Sequence, residues 1–143
     1  MAKKVLPPVY FDEHIKPPVV GKFRDEGFKC VMIAKTKKYA GRKEQEYIGE
    51  IYAEGKPFVT SDMEFVDDHV VAHNVKHAGI IEIPKDFNDA WAGDYHTVLA
   101  HTAKIFIREY GKNALRRHII YIAEDGFRIM DDEGKDHLLA PYY

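Results

Sequence analysis

Apolar runs of three to five residues alternate with helical patterns along this chain. A polypeptide with that rhythm folds as strands and helices layered around a sheet. The clearest case comes first. Val9-Tyr10-Phe11 stops at Asp12-Glu13-His14, and Pro17-Pro18 then suits a first helical turn, where the missing N–H groups do no harm. Val19, Val20 and Phe23 follow at helical spacing, Gly27 is a natural stop, and Cys30–Ala34 reads as a buried strand. Strand, helix and strand within about 25 residues point to a parallel βαβ unit.

The pattern continues. From Glu44 a helix is expected with Tyr47, Ile48, Ile51 and Tyr52 on one face and Glu46, Glu50 and Glu54 on the other. Phe58–Ser61 is the next strand, running into Asp62. Val66, Val70, Val71 and Val75 suggest another helix closed by Gly79, and Ile80–Ile83 a strand ending at Pro84. The longest helical pattern has Tyr95, Val98, Leu99, Thr102, Ala103, Phe106, Ile107 and Tyr110 as its buried stripe, with Asp94 as cap and Gly111 as stop. Ile119–Ala123 and Phe127–Met130, separated by Glu124-Asp125-Gly126, read as a hairpin. The expected fold is one α/β domain over residues 1–143, a mostly parallel central sheet flanked by helices with a C-terminal hairpin.

Bulk properties narrow the function classes. Hydrophobic residues make up 45% and charged residues 31%, a globular balance, and the formal net charge of -2 is not that of a polycation coating nucleic acid. Any nucleic-acid contact must come from a local patch. The single cysteine, Cys30, rules out an intramolecular disulfide and reads as a core residue in a reducing compartment. No apolar run reaches the roughly 20 residues of a membrane helix, so a cytoplasmic protein without a membrane span is expected.

Functional interest lies in the acids. In an open parallel sheet the working crevice lies outside the carboxyl ends of the strands, and two expected strands end there in an aspartate, Asp12 and Asp62. Were the strands neighbours, the carboxylates would converge across one or two spacings of about 4.8 Å. Glu44 extends the apolar face of its helix, where a charge is costly unless paired or bound to metal; favourable placement in a helical first turn explains it equally well. Glu64 adds a fourth acid, with Thr60 and Ser61 nearby; Asp67 and Asp68 could also contribute, although an acidic helix start explains them well enough. Mg2+ or Mn2+, which prefer oxygen ligands, would relieve the repulsion in such a cluster and could serve phosphodiester cleavage. Lys35, Lys37, Lys38, Arg42 and Lys43 place five positive charges in nine residues just before Glu44, with Tyr39 among them. That is either a phosphate-binding loop or a solvated one. His73 and His77 lie four apart on an expected helix without the glutamate of a metalloprotease pattern, and read as surface histidines.

Three segments resemble the PIN-like domains of the short VapC-like kind. Phe11-Asp12-Glu13-His14-Ile15-Lys16-Pro17-Pro18 is similar to that family's Asp-Glu-Asn-Leu-Pro-Pro opening, and Gly41–Tyr47 to its turn followed by a helix-opening acid. Phe58-Val59-Thr60-Ser61-Asp62-Met63-Glu64-Phe65 is similar to its Leu-x-Thr-x-Asp-x-Asp-Phe signature. The resemblance implies metal-dependent RNA cleavage, often as the toxin of a toxin–antitoxin module with an antitoxin protein as partner. By position it implies Asp12, Glu44, Asp62 and Glu64 as catalytic metal ligands, with support from Glu13, His14, Thr60, Ser61 and a terminal-strand arginine, Arg128. The chain departs from the pattern at His14, where asparagine is usual, and at Glu44 and Glu64, where aspartates are common. The competing expectation is a binding module that keeps the scaffold without the catalysis. Pairing of two copies, through Trp91 or Pro141-Tyr142-Tyr143, is a further expectation.

Overall fold

The computed structural model describes residues 6, 8–36, 51, 56–62, 64, 66, 77–85, 93–111, 114–123, 126–131 and 133–141. Among them the chain forms strands β1 (Val9–Phe11), β2 (Cys30–Met32), β3 (Phe58–Thr60), β4 (Ile80–Glu82), β5 (Ile119–Ile122), β6 (Gly126–Met130) and β7 (Asp136–Pro141). Two α-helices accompany them, α1 (Pro17–Asp25) and α2 (Gly93–Tyr110). The strands make one sheet in the order β2-β1-β3-β4-β5-β6-β7. β1 to β5 are parallel; β6 and β7 turn back antiparallel. The fold is therefore α/β, with a mixed, mostly parallel sheet and the expected hairpin at β5–β6.

Helix α1 shows how local chemistry sets the boundaries. Pro17 and Pro18 occupy its first positions, and Lys22 and Arg24 lie in its last turn, where positive charge meets the carbonyl end of the helix dipole. It ends in a Schellman arrangement: Gly27 N–H donates to Arg24 O (3.0 Å) and Phe28 N–H to Phe23 O (3.2 Å), with Gly27 at φ +98°. The Phe23 and Phe28 rings, 5.7 Å apart, seal the turn.

Side-chain alternation along the strands builds two cores. Val9, Phe11, Val59, Ile81, Ile120, Phe127 and Ile129 face α1 and α2, where Val19, Phe23, Leu99, Ala103 and Ile107 complete the layer. Phe58, Ile80 and Ile119 face the other way and pack with Ile33, Ile51 and Val66. Burial on both faces explains why the inner strands read as unbroken apolar runs.

Several expectations need correction. The Cys30–Ala34 run is not a buried strand: β2 stops at Met32, the chain turns through a 3-10 helix at Ile33–Lys35, and all three strand residues are half-buried. β2 lies at the sheet edge, with β1 on one side only. Cys30 is accordingly half-buried, its thiol facing Val20 O and Phe28 O. Helix α2 begins at Gly93, so Asp94 stands within the first turn instead of capping it. Its buried stripe also lies to one side of the expected one. His96, Leu99, Ala100, Ala103 and Ile107 are buried, whereas Val98 is 43% and Tyr110 66% exposed. An 18-residue helix resting on α1 and the sheet covers only one arc of its surface. His77 is buried and outside any helix, contrary to its reading as a surface residue. Ile51 is helical and buried, in keeping with the expected helix around it. The rest of that helix, most of the 66–75 helix, His73, Asp67, Asp68, Tyr39, Trp91, Tyr142 and Tyr143 lie outside the described residues. Among the described residues, no helix is long and apolar enough to cross a membrane.

Candidate metal centre

The connection after β1 leads to β2 on one side, and the next crosses back over β1 to place β3 on its other side. This reversal is a topological switch point, where chain connections leave the carboxyl ends of adjacent parallel strands in opposite directions and open a crevice. Asp12 follows β1 at that edge; Thr60-Ser61-Asp62 closes and follows β3. Because Tyr10 is in register with Phe58 and Phe11 with Val59, Asp12 lies level with Thr60.

Asp12 is held firmly. Its N–H donates to Val59 O (2.9 Å), prolonging the ladder by one bond, and its carbonyl accepts from Ile15 N–H (3.0 Å). The side chain is 1% exposed, and Oδ2 accepts a hydrogen bond from Thr60 Oγ1 at 3.1 Å. The same hydroxyl oxygen accepts from Asp62 N–H (3.0 Å), so Thr60 ties the two strand ends together. Thr60 and Ser61 are both buried.

The Asp12–Ile15 turn buries Ile15 and turns Glu13 and His14 outward. One ligand atom each from Asp12, Glu13 and His14 lies within 4.8 Å of the others, the group among the described residues with the spacing to hold a cation. His14 Nε2 and Glu13 Oε1 are 3.7 Å apart. Two carboxylates and an imidazole form a mixed oxygen and nitrogen donor set. It suits a first-row divalent ion such as Mn2+ better than Mg2+, which keeps to oxygen.

The remaining candidates are placed differently. Asp62 is half-exposed and its carbonyl accepts from Val66 N–H (3.2 Å) as the chain turns away; Glu64 is exposed on that turn. Neither belongs to the close group of Asp12, Glu13 and His14. Lys35 is exposed on the 3-10 turn following β2, at the same edge as Asp12. Glu44, Lys37, Lys38, Arg42 and Lys43 lie outside the described residues. The structure does not bring Arg128 to Asp12. Three strands separate β6 from β1, about 19 Å over four spacings. Arg128 Nε instead donates to Asp136 Oδ1 at 3.3 Å, and Tyr121 OH donates to the same carboxylate.

One residue escaped the sequence reading. Glu82 ends β4 in register with Thr60, so it lies on the same face as Asp12 and Thr60, two strands from β1. The signal in the sequence is an acid inside the apolar run Ile80-Ile81-Glu82-Ile83; the structure places it half-buried at the carboxyl end of a central strand. Comparison with models of protein families, with curated proteins and with solved structures finds no match to this chain.

Proposed function

We propose that this chain is a PIN-like, metal-dependent endoribonuclease whose centre is built on Asp12. The observation that carries the reading is the pairing of a buried carboxylate at the end of β1 with the Thr60-Ser61-Asp62 corner of the adjacent β3, at the switch point of a parallel sheet. Asp12, with Glu13 and His14 beside it, would hold Mn2+ or Mg2+, and Asp62 would act from across the crevice, with Glu44 and Glu64 as further acids. Bound there, the ion would supply positive charge to the oxygens of a phosphodiester.

The protein's own groups do the positioning. Thr60 donates to Asp12 Oδ2 and so holds the buried carboxylate in one orientation at the end of β1. Lys35 offers positive charge at the same edge, suited to the RNA backbone, and Lys37, Lys38, Arg42 and Lys43 extend that charge in sequence. An antitoxin protein as inhibitor, pairing of two copies and action in the cytoplasm belong to the same reading.

Mn2+ titration by calorimetry on the wild type and Asp12→Asn, with single-stranded RNA cleavage measured in parallel, tests it. Saturable binding and cleavage, both lost in the variant, are the expected result. A folded wild type that binds no Mn2+ would overturn the proposal and leave a non-catalytic binding module as the use of the scaffold.

A further inference from the structure

At the opposite, amino end of β4, the chain makes a sharp bend through His77-Ala78-Gly79. His77 is 7% exposed, and its Nδ1 accepts a hydrogen bond from Gly79 N–H at 3.2 Å. An imidazole nitrogen that accepts carries no proton, so the folded bend requires neutral His77 protonated on Nε2. The His77 carbonyl in turn accepts from Arg117 N–H at 2.9 Å. Arg117 sits at φ +61°, a left-handed conformation that a non-glycine residue holds only when its surroundings impose it. His118, next in the chain, gives its carbonyl to Ile80 N–H (3.1 Å) at the start of β4. The bend and the 114–117 turn are thus fastened to one another, with a strained residue at the fastening.

We propose that the His77–Gly79 bend is an acid-released latch: protonation of His77 at Nδ1 frees Gly79 N–H, and the Arg117 turn relaxes away from β4 while the rest of the sheet stays folded. Burial is the largest obstacle to charging His77; repulsion from His118 and then Arg117 of the facing turn adds to it, and together they lower the His77 pKa from 6.5 to about 4. Since the latched form favours the neutral ring, its stability is complete above pH 6.5 and falls as pH drops toward 4. The open population then rises by up to about tenfold per pH unit.

Amide hydrogen exchange followed by NMR between pH 7 and 5, expressed as protection factors, tests the latch on the wild type and His77→Gln. Protection at Gly79 and Arg117 should fall by up to about tenfold per unit below pH 6.5 in the wild type and stay level in the variant. Protection at Asp12 and Ile83, whose amides bond to β3, should hold in both. A parallel fall at all four amides means global acid unfolding and overturns the latch, as does an equal fall in the variant. If His77→Gln does not fold, the wild-type imidazole titration decides. A midpoint at or above 6.5, with protection unchanged, refutes the proposal; one well below 6.5, with local loss at Gly79 and Arg117, supports it.

Discussion

Replacing Gly79 by alanine strains the fold in two ways that can be measured separately. The residue has φ +130°, which L side chains rarely adopt, and a Cβ there would lie 2.7 Å from Leu115 Cβ and 2.9 Å from Leu115 O. Neither neighbour is the free end of a flexible side chain, and Leu115 is itself buried, so the backbone must move. Backbone strain costs on the order of 1–3 kcal/mol, and forced overpacking roughly another 1–3. Gly79→Ala should therefore destabilise by about 2–6 kcal/mol, centred near 4, a large part of the roughly 5–15 typical of a domain. Two other glycines isolate the contributions. Gly134 has φ +80° with nothing within 4 Å of a built Cβ, so Gly134→Ala carries the backbone cost alone, about 1–2 kcal/mol. Gly21 lies inside α1 facing open space, so Gly21→Ala should stabilise by roughly 0.5–1 kcal/mol. Urea denaturation followed by circular dichroism reads all three. At a slope of about 2 kcal/mol/M the Gly79 variant loses roughly 2 M in midpoint. A Gly79→Ala shift no larger than that of Gly134→Ala would refute the steric reasoning, and a destabilised Gly21→Ala would refute the assignment of open space there.

Three further outcomes follow from single contacts. Thr60→Val removes the hydroxyl shared by Asp12 and Asp62; it should cost about 1–3 kcal/mol and weaken Mn2+ binding roughly 10–100-fold, and unchanged calorimetric affinity would remove Thr60 from the positioning of Asp12. Asp131 Oδ1 accepts from Glu133 N–H (3.0 Å) and Lys135 N–H (2.8 Å) in the β6–β7 turn, so Asp131→Ala should lower the midpoint of chemical denaturation, whereas Asp131→Asn should stay close to wild type; an unchanged Asp131→Ala midpoint would remove the side chain from the turn's support. Burial pushes the Cys30 thiol up, with the nearby Arg24 charge pulling weakly the other way, so maleimide labelling at neutral pH should be several-fold slower folded than in urea; equal rates would show an open thiol.

Reading the chain alone succeeds where one segment's own hydrogen bonds and sterics decide. β1 occurs at Val9–Phe11, α1 starts at the paired prolines and stops before Gly27, and the two apolar runs of the expected C-terminal hairpin do pair, with Gly126 as the first residue of β6. Asp12 and Asp62 stand out in the sequence because an apolar run ending at an acid is visible in any chain; Thr60 is legible there only as a hydroxyl nearby. β7 went unseen because Asp136-His137-Leu138-Leu139-Ala140-Pro141 has no strict alternation; its pairing with β6 shifts register at Phe127/Arg128, and its turn is held by the Asp131 side chain.

Interactions a few residues long set the start and stop of α1, the positions of β1, β3 and β4, and the acids that follow β1 and β3, and these are legible in the chain alone. Packing of the whole chain makes β1 and β3 neighbours, so that Asp12 meets Thr60 across 48 positions of chain. It also decided that β2 lies at an edge and leaves Cys30 half-buried, that Glu82 falls level with Thr60, and that Arg128 answers to Asp136 instead of Asp12. The physical reason is common to all of these. Burial and pairing in a sheet depend on strand order, and strand order is settled by which apolar faces pack together over the whole chain, not by the residues of any one strand.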